Sequence, residues 1–172
     1  MASSELDRFI DTWNREARQT LKLLRALPEA QYDFRPDPGA RSIGELAWHL
    51  AEVDGYMSFA VERGSFAPGV RAPGLERPRT IAEIITGYER VHEESAARIR
   101  KLKLEDLDRP ITFIDGREMQ VRYILWGAIL HHLIHHRGQL TVLCRLAGGV
   151  SPSIVGPNRE DWATLQQARS GA

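Results

Sequence analysis

The sequence lacks the features that several large classes of protein require. Its 172 residues include one cysteine, Cys144, so no internal disulfide can form, and we interpret Cys144 as a small buried apolar residue. Basic residues are not in excess, because 23 Lys and Arg balance 23 Asp and Glu, and this argues against nucleic-acid binding. No apolar run approaches the ~18 residues that span a bilayer. The polar N-terminal stretch MASSELDRF is unlike a signal peptide. We therefore expect a cytoplasmic protein with neither a nucleic-acid nor a membrane partner.

The composition is that of a globular protein, with 42% apolar and 27% charged residues. A chain of this length buries about two thirds of the surface that its unfolded form exposes, which is enough for a core without disulfides. No alternation of strands and helices, internal repeat or low-complexity tract divides the sequence. We expect residues 1–172 to form a single domain.

Prolines divide the chain into windows in which long helices can form, because proline interrupts a helix interior. In four of these windows apolar residues recur every three to four positions, as in amphipathic helices. The four predicted helices cover about 4–27, 42–64, 80–102 and 119–147. Ser42 with Glu45, and Thr80 with Glu83, form predicted capping boxes at two helix starts. A short extended piece at 111–114 and a short helix near 159–168 complete an all-α four-helix bundle with an extra C-terminal helix.

Histidine is the unusual component of this composition. Four of the six histidines lie within six residues of the fourth predicted helix. Residues four apart lie one turn apart on one helix face, so His131 with His135, or His132 with His136, could hold a metal ion. His132 and His136 continue the most apolar row of this helix, which contains Leu125, Ile129, Leu140 and Leu143. We therefore predict that His132 and His136 face the bundle core and that the other pair faces its edge.

A third ligand has to come from another helix, since two histidines alone hold a metal weakly. His49 lies on the apolar stripe of the second helix, whereas His92 precedes two glutamates and is predicted to be peripheral. Three imidazoles would leave a coordination position open, which is typical of catalytic rather than structural metal sites. The predicted site is therefore His49, His132 and His136 around a divalent transition metal; imidazole suits zinc, nickel, copper or iron, and we expect zinc or nickel.

Other interpretations of these residues stay open at this point. His49 alone could be a hydrogen-bonded core residue, and the histidine cluster could be a pH-sensitive patch or a partner-binding edge. Glu52 and Asp54 follow His49 and could orient an imidazole, although a solvent-facing position is favoured for both. The segment 64–79, rich in proline and glycine, either covers the site or only connects two helices.

Four stretches of the chain resemble the DinB/YfiT-like family. They are 41–51 (RSIGELAWHLA), 132–140 (HLIHHRGQL), the approach from Leu27 to Pro38, and the tail from Gly149 to Pro157. The resemblance implies a four-helix bundle in which His49, His132 and His136 form a metal-binding triad. Arg137, Gly138 and Gln139 match the His-Arg-Gly-Gln part of the signature. We predict that Arg137 and Gln139 point away from the histidines toward a neighbouring helix or partner, and that Gly138 permits close helix approach.

The resemblance also implies a range of functions. Some family members are transferases that use a low-molecular-weight thiol such as bacillithiol or mycothiol, others are regarded as metal-dependent hydrolases, and many have no assigned activity. A divalent ion suits either chemistry, because it lowers the pKa of a bound thiol or water. We therefore predict a metal-dependent thiol transferase or hydrolase acting on a small molecule, and a homodimer. The alternative is a non-catalytic bundle that uses the metal for stability or dimerisation.

Overall fold

Four long helices make up most of the computed structural model, which describes residues 3–66, 72–113 and 115–170. They are α1 (Glu5–Leu24), α2 (Ile43–Arg63), α3 (Ile81–Ile99) and α4. Helix α4 has three consecutive parts, namely the α-helical turn Val121–Tyr123, the π-helical segment Ile124–His131 and the α-helical segment His132–Leu146. A C-terminal helix, α5 (Arg159–Ser170), follows. The predicted four-helix bundle with an extra C-terminal helix is thereby confirmed.

A small hairpin precedes α4. Strand β1 (Pro110–Thr112) pairs antiparallel with β2 (Glu118–Gln120), and Ile111 lies opposite Met119. The extended piece predicted near 111–114 is therefore present, with Ile114 outside the described residues. The fourth helix begins at Val121, and the prediction that it begins near Met119 was wrong because Met119 belongs to β2.

Side-chain caps define where the helices begin. The hydroxyl of Ser42 accepts from the Glu45 N–H, and the Glu45 carboxylate accepts from the Ser42 N–H, as the predicted capping box requires. Thr80 likewise caps α3 by accepting from the Glu83 N–H, but the Glu83 carboxylate accepts from the Thr80 hydroxyl and the Arg79 N–H. The reciprocal half of that second predicted box is therefore displaced by one residue.

The helix neighbours set the direction in which the histidines point. Helix α2 packs against α3 and α4, and α1 also packs against α3 and α4, so that α1 and α2 face each other across the bundle. Trp13 of α1 and Trp48 of α2 are almost completely buried in the shared core. Cys144 is also completely buried, as predicted, and burial raises the pKa of its thiol. Among the described residues, no helix is both long and apolar enough to cross a membrane.

Candidate metal centre

Three histidines from two helices meet at one side of the bundle. His49 of α2 faces His132 and His136 of α4, with ring centroids 5.5 Å and 4.7 Å away. The rings of His132 and His136 lie 4.5 Å apart, one helical turn from each other. Each offers one nitrogen, and these three nitrogens lie within 4.8 Å of one another. The structure therefore brings together the three residues that the sequence analysis selected.

Two of the three imidazoles are oriented by a neighbour on their own helix. His49 Nδ1 lies 3.2 Å from a carboxylate oxygen of Glu52, and His136 Nδ1 lies 2.7 Å from Oε1 of Gln139. Because both oxygens are acceptors, each Nδ1 carries the proton and each Nε2 keeps its lone pair for a metal ion. This arrangement matches the carboxylate–histidine and carbonyl–histidine pairs that support metal ligands.

The protonation states also suit a metal ion. Burial, reinforced by the neighbouring positive groups, lowers the pKa of His132 from 6.5 to about 4. Burial also lowers the pKa of His136, although its hydrogen bond with Gln139 acts in the opposite direction. These two rings are therefore neutral at pH 7, the form in which imidazole coordinates a metal. The donor set fits a borderline-soft divalent cation such as zinc or nickel.

The start of α2, which carries His49, is held by the preceding loop. Arg35 donates two hydrogen bonds to the Glu45 carboxylate, at 2.6 Å and 2.9 Å, and Arg77 lies 3.0 Å from it. These contacts, led by Arg35, lower the pKa of Glu45 to about 2. The Tyr32 ring covers Gly44 so closely that a Cβ there would lie 2.2 Å from it, so any larger residue would displace the ring. Helix α2 is thus fixed one turn before His49.

Arg137 anchors α4 to α1. Its guanidinium is almost completely buried and donates to the backbone carbonyl of Glu16, at 2.9 Å, and to the Glu16 carboxylate, at 2.6 Å. Arg137 therefore bridges α4 to α1, as predicted, while His132 and His136 turn toward α2. Gly138 has no heavy atom within 4 Å of a Cβ built on it, so the predicted close helix approach at this glycine was wrong.

The π-helical segment Ile124–His131 ends directly before His132. Each π turn contains one residue more than an α turn, so it changes which side chains face the core. In the outcome, Ile129 and Leu133 are completely buried, whereas His132 and His136 lie at the edge of the core, half-buried. The apolar spacing of this stretch is compatible with one regular helix. It therefore gives no signal of the π-helical segment.

The remaining histidines divide into two groups. His131 and His135 are exposed, as predicted. His92 is buried, and its predicted peripheral position was wrong because Nδ1 lies 2.9 Å from the Asp54 carboxylate in the interior. The predicted solvent-facing position of Asp54 was wrong for the same reason, since Trp13 Nε1 also donates to this completely buried carboxylate. Burial raises the pKa of Asp54.

Two residues beside the site contact its imidazoles, Glu52 in one of the roles considered for it and Gln139 against the prediction. Glu52 has a side chain that is 46% exposed, in keeping with the solvent-facing position favoured for it, yet it also contacts His49. Gln139 was predicted to point away from the histidines and was placed wrongly, because its amide lies between His135 and His136. The spacing of three residues to His136 was the available signal. Residues 67–71 of the possible covering segment 64–79 lie outside the described residues.

Comparison with known proteins gives a consistent result. Residues 12–140 match a sequence family described as the DinB superfamily, and this span contains all three clustered histidines. The Bacillus subtilis (strain 168) protein YrdA, described as uncharacterized, is 33% identical over an alignment of 162 residues that covers 92% of each chain. A DinB-like protein from Bacillus cereus ATCC 10987 has a crystal structure that matches with a TM-score of 0.70 and 27% identity, over 85% of this chain and 95% of that one.

Two more distant structures share the fold alone. YfiT from Bacillus subtilis matches with a TM-score of 0.68 and 14% identity, over 86% of this chain and 90% of YfiT. YfiT is called a probable metal-dependent hydrolase with an unusual four-helix bundle topology. A mutant of a mycothiol-dependent maleylpyruvate isomerase matches with a TM-score of 0.55 and 11% identity, over 87% of this chain and 65% of the isomerase.

Proposed function

This chain belongs to the DinB superfamily, and from that premise we propose that it is a metal-dependent enzyme acting on a small molecule. His49, His132 and His136 hold one divalent cation, zinc or nickel. The observation that carries the proposal is the meeting of three histidine nitrogens within 4.8 Å of one another, from two helices that separate contacts hold in place. The three imidazoles are half-buried, and one shared cation satisfies all three of these nitrogens.

The chain's own residues prepare the site in two ways. Glu52 and Gln139 hold His49 and His136 with Nε2 available, so little side-chain freedom is lost when a ligand binds. Burial keeps His132 and His136 neutral, so no proton has to leave these rings at neutral pH. When bound, the metal ion supplies Lewis acidity that activates a water molecule or a thiol at its open position.

Two reaction classes suit this site, and both act on small molecules. Hydrolysis is supported by the description of YfiT as a probable metal-dependent hydrolase. Thiol transfer is supported by the family resemblance and by the mycothiol dependence of the isomerase that shares the fold. We place thiol transfer slightly ahead of hydrolysis on the family resemblance alone.

The experiment that tests this function compares zinc-loaded, nickel-loaded and metal-free protein on two substrate panels. One panel contains activated esters and amides, and the other contains small electrophiles offered with low-molecular-weight thiols. We expect turnover that requires the metal and is lost in His132→Ala, whereas His131→Ala, which changes an exposed histidine on the same helix, keeps it. Equal turnover by metal-loaded and metal-free protein would contradict the proposal.

The alternative, a non-catalytic bundle stabilised or dimerised by the metal, predicts different behaviour. In that case His132→Ala would lower the melting temperature as strongly as chelation does in the wild type, because a structural metal contributes folding free energy. For a catalytic site we expect His132→Ala to lose the metal while its melting temperature stays close to that of the metal-loaded wild type. The homodimer stays a prediction, which sedimentation equilibrium of the wild type tests.

A further inference from the structure

A cavity of about 600 Å³ opens beside His136. Its walls are mostly apolar and come from α4, from Leu46 of α2 and from the segment that precedes α2, with Val142, Leu143 and Leu146 among the α4 residues. Val142 and Leu146 are large apolar side chains that stay 59% and 60% exposed, since they line this open space. The size falls within the usual range of about 300–1,000 Å³ for a small-molecule site. The cavity therefore borders the candidate metal centre at His136, and most of its wall is apolar.

One cationic side chain also lines this cavity, namely Arg41. No carboxylate within the described residues lies at salt-bridge distance from Arg41, although the neighbouring Glu45 is held by Arg35 and Arg77. Arg41 and His136 both line this cavity, so the guanidinium and the candidate metal centre border the same space. Among the described residues this guanidinium therefore has no salt-bridge partner, and it is available to a ligand in the cavity.

We infer that the cavity binds a small amphipathic carboxylate, with its aliphatic body against Leu46, Val142 and Leu146 and its carboxylate on Arg41. This inference rests on the proposed function, because the reactive group of such a substrate would lie beside His136. A guanidinium recognises a carboxylate through paired N–H donors, and the apolar walls favour a hydrocarbon chain over a polar one. Arg41 is therefore a specificity-determining residue rather than a catalytic one.

The test uses octanoate as the probe, with octan-1-ol and octylamine as matched ligands that share its chain. Isothermal titration calorimetry is carried out on zinc-loaded and on metal-free protein, because a carboxylate could also bind zinc directly. In the metal-free protein we expect octanoate to bind about tenfold more tightly than octan-1-ol, as one charge-assisted hydrogen-bonded contact implies. Octylamine should bind more weakly than both.

Two pairs of variants locate the effect. Arg41→Gln should reduce the preference for octanoate over octan-1-ol to less than about twofold while zinc binding stays unchanged. Arg18→Gln, at an exposed position of α1, should leave the preference intact. Val142→Asp should weaken octanoate binding, whereas Val155→Asp, at a position 91% exposed and outside this cavity, should not.

Absence of octanoate binding, or an unchanged preference in Arg41→Gln, would overturn the inference. Failure of the wild type to bind zinc would instead overturn the proposed metal-dependent function. The metal-free titration separates these two failures, because it measures octanoate binding by Arg41 and the cavity without any contribution from a metal ion.

Discussion

Gln139 accepts a hydrogen bond from Nδ1 of His136, with 2.7 Å between Oε1 and the ring nitrogen. The same amide donates from its nitrogen to Nε2 of His135, at 3.1 Å. The amide is therefore held at both ends, and its oxygen is committed to His136. One consequence is that His136 presents Nε2 to the candidate metal centre in a fixed tautomer.

Gln139→Ala should weaken zinc binding about 10- to 100-fold, the usual effect of removing a residue that supports a metal-bound histidine. The physical reason is that His136 would then rotate freely and populate the wrong tautomer. Competition titration with a chromogenic chelator measures the dissociation constant. Gln31→Ala, which removes an exposed glutamine distant in sequence from His136, is the matched control and should leave zinc affinity unchanged. Equal zinc affinity in Gln139→Ala and the wild type would show that Gln139 does not support zinc binding through His136.

Stability of the metal-free protein should fall as pH drops below about 6.5. The folded protein holds the pKa of His132 at about 4, whereas unfolding restores its ordinary 6.5, so the unfolded state takes up the proton first. The lowered pKa of His136 acts in the same direction, and the raised pKa of Asp54 acts in the opposite direction. Comparison of variants at each pH is therefore needed to isolate His132.

Urea unfolding between pH 7 and pH 4.5 provides that comparison. His132→Gln should lose less stability than the wild type over this range, because the group that resists protonation in the fold has been removed. His131→Gln alters an exposed histidine and should follow the wild type. If wild type and His132→Gln lose stability in parallel, the half-buried environment of His132 does not disfavour its charge.

Arg137→Ala should destabilise the fold by about 3 kcal/mol, because it leaves the half-buried Glu16 without its buried cationic partner. Arg117→Ala is the control, since that guanidinium is 76% exposed and pairs with the nearby Asp115; it should cost less than about 0.5 kcal/mol. Both are measured by urea unfolding. Zinc stoichiometry of folded Arg137→Ala should stay at the wild-type value, and its loss would mean that Arg137 does more than anchor α4.

His92→Leu should destabilise the fold by about 2–3 kcal/mol, because Asp54 then lacks one of its two donors in the interior. The double variant with Asp54→Leu should recover part of this loss, since removing both partners is less costly than orphaning one. Urea unfolding at pH 7 of the wild type, both single variants and the double variant closes this cycle. No recovery in the double variant would show that packing, rather than the unpaired carboxylate, causes the loss.

The sequence was sufficient to predict the elements whose signals are local. Three of the predicted helices begin at side-chain caps, and the spacing of four residues places His132 and His136 on one face whatever the rest of the chain does. His49 was selected because it lies on an apolar stripe, and the structure turns that stripe toward α4. Such signals depend on backbone geometry, which is the same in every helix.

The features that were missed depend on which helices become neighbours. Asp54 faces inward because Trp13 of α1 and His92 of α3 pair with it. Both partners are distant in the sequence, so the residues around Asp54 do not predict them. The π segment Ile124–His131 likewise has no local signal in the sequence, since residues of these types also occur in regular α-helices. Arg41 becomes notable only when the cavity between α2 and α4 is known.

The most direct test of the central claim is the metal content of purified protein after reconstitution and exhaustive dialysis, measured by mass spectrometry for zinc and nickel. We predict about one metal ion per chain for the wild type and for the exposed-site control His131→Ala. His49→Ala, His132→Ala and His136→Ala should each lose most of it, because two imidazoles hold a cation weakly. A wild type that retains no metal, or a His132→Ala variant that retains as much as the wild type, would contradict the account.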